Sequence, residues 1–489
     1  MRLMHCLGTT AFVSVLTLWF SSELSAQDIF FTRSDYPAGD GPHSVFPVDL
    51  NEDGYDDLVT ANFLSDNVSV LLGNGDGTFQ TSIEYGAGDA PISTSSADFT
   101  GDSNKDLVVA NQDSGTVSIL PGNGDGSFQN PISYDVGDSP IFVFAIDLDD
   151  DGCHDLITAN SVSDDVSILI GNGDGTFQNP VRYAVGNYPS SVFSVDFDGD
   201  GVRDLTTANS LSDDVSVLLG NGDGTFQSPV QYAVGEYPSS VFPIDLDGDG
   251  VNDLTTANSL SGDVSILLGN GDGTFQDQVQ YPAGRYPTSV FSTDFNNDGN
   301  NDLVTANRHY HSDEVSVLLG NGDGTFQSPV LYAAGNDPVS VIAIDLDCDG
   351  NNDLVSANYS SDDLSVILGN GDGTFQGAVN YATEEAPSSV FSADFNGDGY
   401  SDLGTTDIDV MILLGNGDGS FQRDSSYSTG GDQSTSLFSS DFDSDGICDL
   451  VTCNYASDDL SVLLGNGDGT FQSPVLYPVG EFPSSVFSV

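Results

Sequence analysis

Lysine is almost missing from this chain. Lys105 stands alone, and with the arginines it makes 8 bases against 75 acids, a formal charge of −67. Nucleic acid and anionic lipid are gripped by clustered cations that displace counterions, so both are excluded as partners. Cysteine is scarce as well. Cys6 falls in the N-terminal segment, Cys153, Cys348 and Cys448 occupy variable positions of acidic loops, and Cys453 replaces the alanine of a recurring T-A-N segment. Thiols scattered in this way make no disulfide framework. After the N-terminal stretch no apolar run is long enough to span a bilayer. Histidine is rare too, and no serine or cysteine is paired with one at a recurring position, so triad chemistry has no support.

What is present begins with a targeting pattern. Arg2 precedes an apolar stretch from Leu7 to Phe20, and small residues follow at Ser25-Ala26. Residues 1–26 read as a secretory signal peptide, with an uncleaved membrane anchor as the alternative. Residues 27–489 are then expected to be secreted or displayed at the cell surface, with no membrane insertion after cleavage and in a compartment rich in calcium. The acidity does not mean disorder, because 38% of residues are hydrophobic and 10% aromatic. The 56 glycines and 20 prolines argue for many short strands joined by turns.

The strongest pattern is a repeat. G-N-G-D-G-T-F-Q begins at Gly73, Gly171, Gly220, Gly269, Gly320, Gly369 and Gly465, with serine variants at Gly122 and Gly415. An acidic nonapeptide begins at Asp49, Asp98, Asp147, Asp196, Asp245, Asp294, Asp345, Asp394 and Asp441, spaced by 49 residues except for 51 after Asp294 and 47 after Asp394. A period of that size indicates a solenoid, a propeller or an array. In the fourth unit, Ser190–Phe197, Leu205–Asn209, Val215–Leu219 and Phe226–Val234 read as strands, with N-G-D-G supplying the hairpin turn between the last two. Apolar residues on both faces of the first and third strands require cover on both sides, which radial stacking provides. The expected fold is therefore all-β: a β-propeller of about nine four-stranded blades. A seven-bladed ring with two extra units and a linear β-solenoid are the alternatives. The chain also opens on an isolated fourth strand, Phe30–Ala38, and closes on an isolated first strand, Ser484–Val489; these would belong to one blade lacking its middle, left truncated or imperfectly paired.

The acidic loops have the make-up of metal sites. Carboxylates at positions 1, 3, 5 and 9 converge when glycine at position 6 permits a sharp turn, and a carbonyl at position 7 adds an oxygen. Hard oxygen ligands in that number suit calcium. Without a cation the gathered carboxylates would repel one another and could not all stay ionised. Five loops carry all four acids: Asp147, Asp149, Asp151 and Asp155; Asp196, Asp198, Asp200 and Asp204; Asp245, Asp247, Asp249 and Asp253; Asp345, Asp347, Asp349 and Asp353; Asp441, Asp443, Asp445 and Asp449. Three have an amide at position 3: Asp49, Asn51, Asp53 and Asp57; Asp294, Asn296, Asp298 and Asp302; Asp394, Asn396, Asp398 and Asp402. The remaining loop, Asp98, Thr100, Asp102 and Asp106, also has Ser103 at position 6 and is expected to be the weakest site. Position 12 carries residues such as Thr207 and Val109 rather than glutamate, which excludes an EF-hand. Nine registered copies also argue against acids serving solubility alone, since solubility needs charge but no fixed spacing.

With D-x-D-x-D-G-x-x-D-L loops followed by L-L-G-N-G-D-G-T-F, the chain resembles the FG-GAP/VCBS repeat family over about residues 30–489. That family includes the propeller heads of integrin α-subunits and many exported bacterial proteins. The resemblance implies calcium-stabilised propellers serving adhesion or ligand binding, with metal positions at the loop residues above. His309 and His311 lie in the sixth-unit insertion, where an exposed loop is weighed against a transition-metal site. The G-N-G-D-G turns lack the lysine and following helix of a phosphate loop. Carboxylate pairs suited to glycoside hydrolysis are already explained by the metal loops. The expected function is a non-catalytic binding or adhesion module for an extracellular protein or glycan. A polysaccharide-binding lectin or a polysaccharide-active enzyme using the channel is the alternative.

Overall fold

The computed structural model describes residues 42–75, 78–308, 313–383, 386–406, 409–429, 434–443, 445–454, 459–478 and 485–486. The N-terminal segment, the strand expected at Phe30–Ala38 and the insertion carrying His309 and His311 lie outside the described residues.

Each repeat folds as one antiparallel sheet in which strands pair in chain order, and the described elements are all strands. The fourth blade is formed by Pro189–Val195, Asp204–Asn209, Asp214–Leu218 and Val230–Ala233. Phe193 pairs with Thr206, Thr206 with Val217, and Val217 with Val230. The second strand is buried along its whole length, because neighbouring blades cover both its faces. First strands of adjacent blades meet on the inside of the ring, while the fourth strands are largely exposed on the outside.

The fourth strand departs from expectation. Instead of running unbroken from Phe226, it makes an isolated bridge between Gly220 and Phe226 and resumes at Val230. The stretch from Phe226 to Val230 is one residue longer than the Val217–Gly220 stretch it faces, so one residue has no partner. Pro229 sits in that break, where its missing N–H is no loss.

The core lies between blades rather than within any one of them. Phe197, Val215 and Val217 of the fourth blade pack with Val241, Leu254, Leu267 and Phe275 at the fifth. The same arrangement recurs at each interface, and the last one packs Leu58, Leu71 and Phe79 of the first blade against Phe442, Val451 and Val462 of the ninth. Burial of each such side chain stabilises by roughly 1.5–3 kcal/mol. The nine sheets therefore close into a single ring, which excludes both the solenoid and the ring of seven with an extension.

A polar contact fixes each step around much of the ring. The tyrosine of one fourth strand accepts the N–H of the next blade's phenylalanine, as from Phe226 to Tyr183 at 2.9 Å and from Phe177 to Tyr134 at 2.9 Å. The same rings meet edge to face, with centroids 5.7 Å apart for Tyr183 and Phe226. At the seam, Ser485–Val486 pairs parallel to Pro42–Val48 and makes the first sheet five-stranded. The expected start of a further blade thus becomes an insert between the first strands of blades nine and one.

Candidate metal centres

Each acidic loop joins the first strand of a blade to its second, and the N-G-D-G turn joins the third to the fourth, so both lie at the same end of the blade. The ninth-position aspartate is the first residue of the second strand and ties the two together. Asp204 Oδ2 accepts the Phe197 N–H at 2.8 Å, and its Oδ1 accepts the Gly220 N–H at 2.8 Å. Asp57, Asp106, Asp155, Asp253, Asp302, Asp353, Asp402 and Asp449 make the same pair of bonds. This staple was not read from the sequence. The signal for it is the first glycine of G-N-G-D-G, where a Cβ on Gly220 would stand 2.4 Å from the Arg203 carbonyl oxygen.

Positions 1 and 3 wrap the loop around itself. Asp196 accepts from the N–H groups of Gly199 at 2.7 Å and Gly201 at 2.9 Å, and Asp198 from that of Asp200 at 3.1 Å. Position 6 is left-handed as expected, with Gly201 at φ 87°, and Ser103 takes φ 70° in its place. Position 4 is left-handed too, a requirement missed in the sequence: Gly199 has φ 74°, and Glu52, Asp150, Asn297 and Cys348 adopt similar values without glycine's freedom.

The result, among the described residues, is five acidic triads. Asp147, Asp149 and Asp155; Asp196, Asp198 and Asp204; Asp245, Asp247 and Asp253; Asp345, Asp347 and Asp353; and Asp441, Asp443 and Asp449 each bring one oxygen per residue within 4.8 Å of the others. The fifth-position acids Asp151, Asp200, Asp249, Asp349 and Asp445 stand outside these groups. Each turns one oxygen to the N–H at position 7, as Asp200 does to Val202 at 2.7 Å. The amides Asn51, Asn296 and Asn396 hold the third position in the same way, each accepting the N–H at position 5. In the Asp98 loop, Thr100 supplies no carboxylate, although Asp98 and Asp106 keep their backbone bonds.

Burial raises the pKa of the ninth-position acids, with neighbouring carboxylates adding to the effect. Asp57, Asp155, Asp204, Asp253, Asp302, Asp353 and Asp402 are pushed up to about 6 and Asp449 to about 7. Asp149, Asp198, Asp247, Asp347 and Asp443 are raised for the same reasons. Asp147 Oδ1 is buried with no hydrogen-bond partner. An all-oxygen donor set, acids held above their ordinary range and an orphaned carboxylate oxygen together fit a hard divalent cation. These triads could hold a metal ion.

Fold and loops together define a β-propeller whose blades each carry an acidic loop at one end. The FG-GAP-like repeat profile matches residues 49–109, 98–158, 147–207, 196–256, 245–305, 294–356 and 345–405, more than half of the chain, and the chain belongs to that family. No curated protein sequence matches it. Among solved structures, an Agrocybe aegerita lectin described as recognising non-reducing terminal N-acetylglucosamine is similar at 21% identity, covering 70% of this chain and 94% of its own, with a TM-score of 0.39. The Vibrio cholerae biofilm matrix protein Bap1 is similar at 13% identity, covering 95% of this chain and 84% of its own, with a TM-score of 0.40.

Proposed function

We propose that the protein is an exported, non-catalytic binding or adhesion module whose acidic loops hold structural calcium, and which meets an extracellular protein or glycan with its opposite end. The observation that supports this reading is a run of exposed tyrosines at that end. Tyr188, Tyr237 and Tyr286 occupy equivalent positions in the connections into the fourth, fifth and sixth blades, and all three are exposed. Each has a left-handed backbone, with φ of 57°, 58° and 52°, and immediately precedes a proline. Equivalent turns carry small or polar residues such as Ala90, Ser139 and Asp337. A bulky residue is disfavoured in that conformation, and strain of this kind is usually retained at functional positions. Leu211 and Leu260 stand exposed on adjoining loops, whose backbones donate to the same turns: Leu211 N–H to Asn187 O and Leu260 N–H to Glu236 O, each at 3.1 Å.

Aromatic and apolar side chains anchored by rigid turns suit recognition of a sugar face or a protein surface. The exposed Phe193, Phe242 and Phe291 on the inner strands favour a second reading, in which a polysaccharide enters the channel. The test screens a glycan array and a panel of extracellular proteins with wild type and with Tyr188→Asn/Tyr237→Asn/Tyr286→Asn, in calcium and in EDTA. Asparagine accepts the left-handed conformation, so the variant is expected to keep its melting temperature and lose binding by more than tenfold. A ligand bound equally by both proteins would reject the tyrosine surface, and loss on Phe242→Ser alone would favour the channel.

A further inference from the structure

Position 8 of an acidic loop directly precedes the buried ninth-position carboxylate, yet in several blades its side chain reaches the preceding blade. Asn301 Nδ2 donates to the Asp245 carbonyl oxygen at 2.8 Å. Asn352 Nδ2 donates to the Asp294 carbonyl at 3.3 Å and to Thr293 Oγ1 at 3.0 Å, and Asn252 Nδ2 donates to the Asp196 carbonyl at 3.4 Å. Across the seam the contact has the opposite polarity, with Ser440 Oγ donating to Asp56 Oδ2 at 3.1 Å. His154, also at position 8, sets its ring edge-on to Phe99 of the preceding loop, with centroids 6.3 Å apart. Hairpin geometry within a blade requires none of these contacts.

We propose that Asn252, Asn301 and Asn352 are positioning residues that couple the metal loops of blades four to seven, so that filling one loop raises the affinity of its neighbour. The inference rests on the acidic loops being cation sites. Asp253 is a member of the triad in its own blade and is fixed by Leu246 and Gly269. Ordering Asp253 therefore fixes the backbone from which Asn252 reaches out. Asn252 in turn holds the carbonyl of Asp196, whose carboxylate belongs to the triad of the preceding blade. One amide thus joins two sites, and the thermodynamic coupling between them is necessarily reciprocal. Asn301 and Asn352 carry the link through the sixth blade's loop, where Asn296 replaces the third carboxylate, so four consecutive loops form a chain.

The test is hydrogen exchange measured by mass spectrometry through a calcium titration of the mature protein. Peptides covering residues 196–204 and 345–353 are followed in wild type and in Asn252→Ala. The calcium midpoint for protection of 196–204 is expected to rise about threefold to tenfold, the equivalent of one net hydrogen bond, while that of 345–353 stays in place. Asn252→Leu, which keeps the volume and loses the donor without adding charge, should give the same pattern. An unchanged midpoint at 196–204, or equal movement of both peptides, overturns the coupling. Absence of any calcium-dependent protection in wild type overturns the metal reading beneath it, a result plainly different from the other two.

Discussion

At the scale of single residues, the third and ninth positions of a loop do different jobs, and substitution separates them. Asp204 satisfies two backbone N–H groups besides joining its triad, whereas Asp198 accepts one exposed bond and adds charge to a crowded site. Asp204→Ala leaves buried donors unmet and should destabilise by about 2–4 kcal/mol already in EDTA, and by more in calcium, where a triad carboxylate is lost as well. Asp198→Ala should leave stability in EDTA unchanged or slightly higher, because it removes a repelling carboxylate, yet lose the share of the calcium increment that its own loop supplies. Paired melts of each variant check this, and equal losses for both in EDTA would remove the distinction. The raised ninth-position acids also set a pH dependence. A carboxyl whose folded pKa lies above its unfolded value stabilises fully below the unfolded value, and that stability is lost as pH rises through the folded one. An aspartate ordinarily titrates near 3.8 and folded Asp204 is pushed up to about 6, so without metal this contribution fades between about pH 4 and 6. A calcium ion bound as proposed would hold the same groups ionised, so its stabilising increment should be larger at pH 7 than at pH 5. The turn aspartates such as Asp223 are instead lowered by bonds from Thr225 and titrate below this window. Equal calcium increments at the two pH values would contradict the assignment of the raised groups to the metal loops.

At the scale of the strand and the turn, the tyrosine–phenylalanine contact between blades carries a measurable share of each interface. Tyr232→Phe keeps the edge-to-face packing on Phe275, at 5.5 Å, and removes only the acceptor for its N–H. It should destabilise by about 1 kcal/mol, readable as a small drop in urea midpoint at unchanged slope; a loss above 3 kcal/mol would mean that the ring itself has moved. That contact also shows what the sequence could and could not disclose. Strand existence and order were legible because Val215, Val217 and Leu218 make a short β-branched and apolar run with both faces covered, bounded by turn residues, and because N-G-D-G supplies a tight reversal. The gathering of acids at positions 1, 3 and 9 was legible from their fixed spacing, but the placing of the fifth-position acids outside the triads was not, because it depends on the turn toward the position 7 N–H. The bulge before Val230 was not, since nothing in F-Q-S-P-V says which residue goes unpaired until the facing strand sets the register. Nor were the links from Tyr183 to Phe226 and from Asn301 to Asp245, because they join residues of different repeats and depend on how one blade docks on the next. Position 4 was hidden for another reason: glycine there alternates with Glu52, Asp150, Asn297 and Cys348, so no consistent residue marks its left-handed backbone.

At the scale of the whole molecule, two forces act on the ring and can be told apart. The hydrophobic clusters pull each blade onto its neighbour, the ninth onto the first included. The net charge of −67 pushes all of them apart. If the seam is as tight as the other interfaces, Leu58→Ala there should destabilise by about 2–5 kcal/mol, as much as Leu205→Ala between the third and fourth blades. Both leucines are fully buried. A seam that opened freely would make the first substitution nearly silent. Self-repulsion predicts a second, separable effect, because distributed surface charge is screened by any salt while an acidic triad needs a cation small and charged enough to sit among its oxygens. Raising sodium chloride from about 0.05 to 0.5 M in EDTA shortens the Debye length to a few ångströms and should raise the melting temperature by several degrees. Millimolar calcium added at fixed high ionic strength should then raise it further, by an amount that magnesium does not match. If sodium alone supplied the whole increase, the acidic loops would be acting only as surface charge; if sodium did nothing and calcium everything, repulsion across the ring would be confined to the triads, and the remaining acids would be spread too widely to matter.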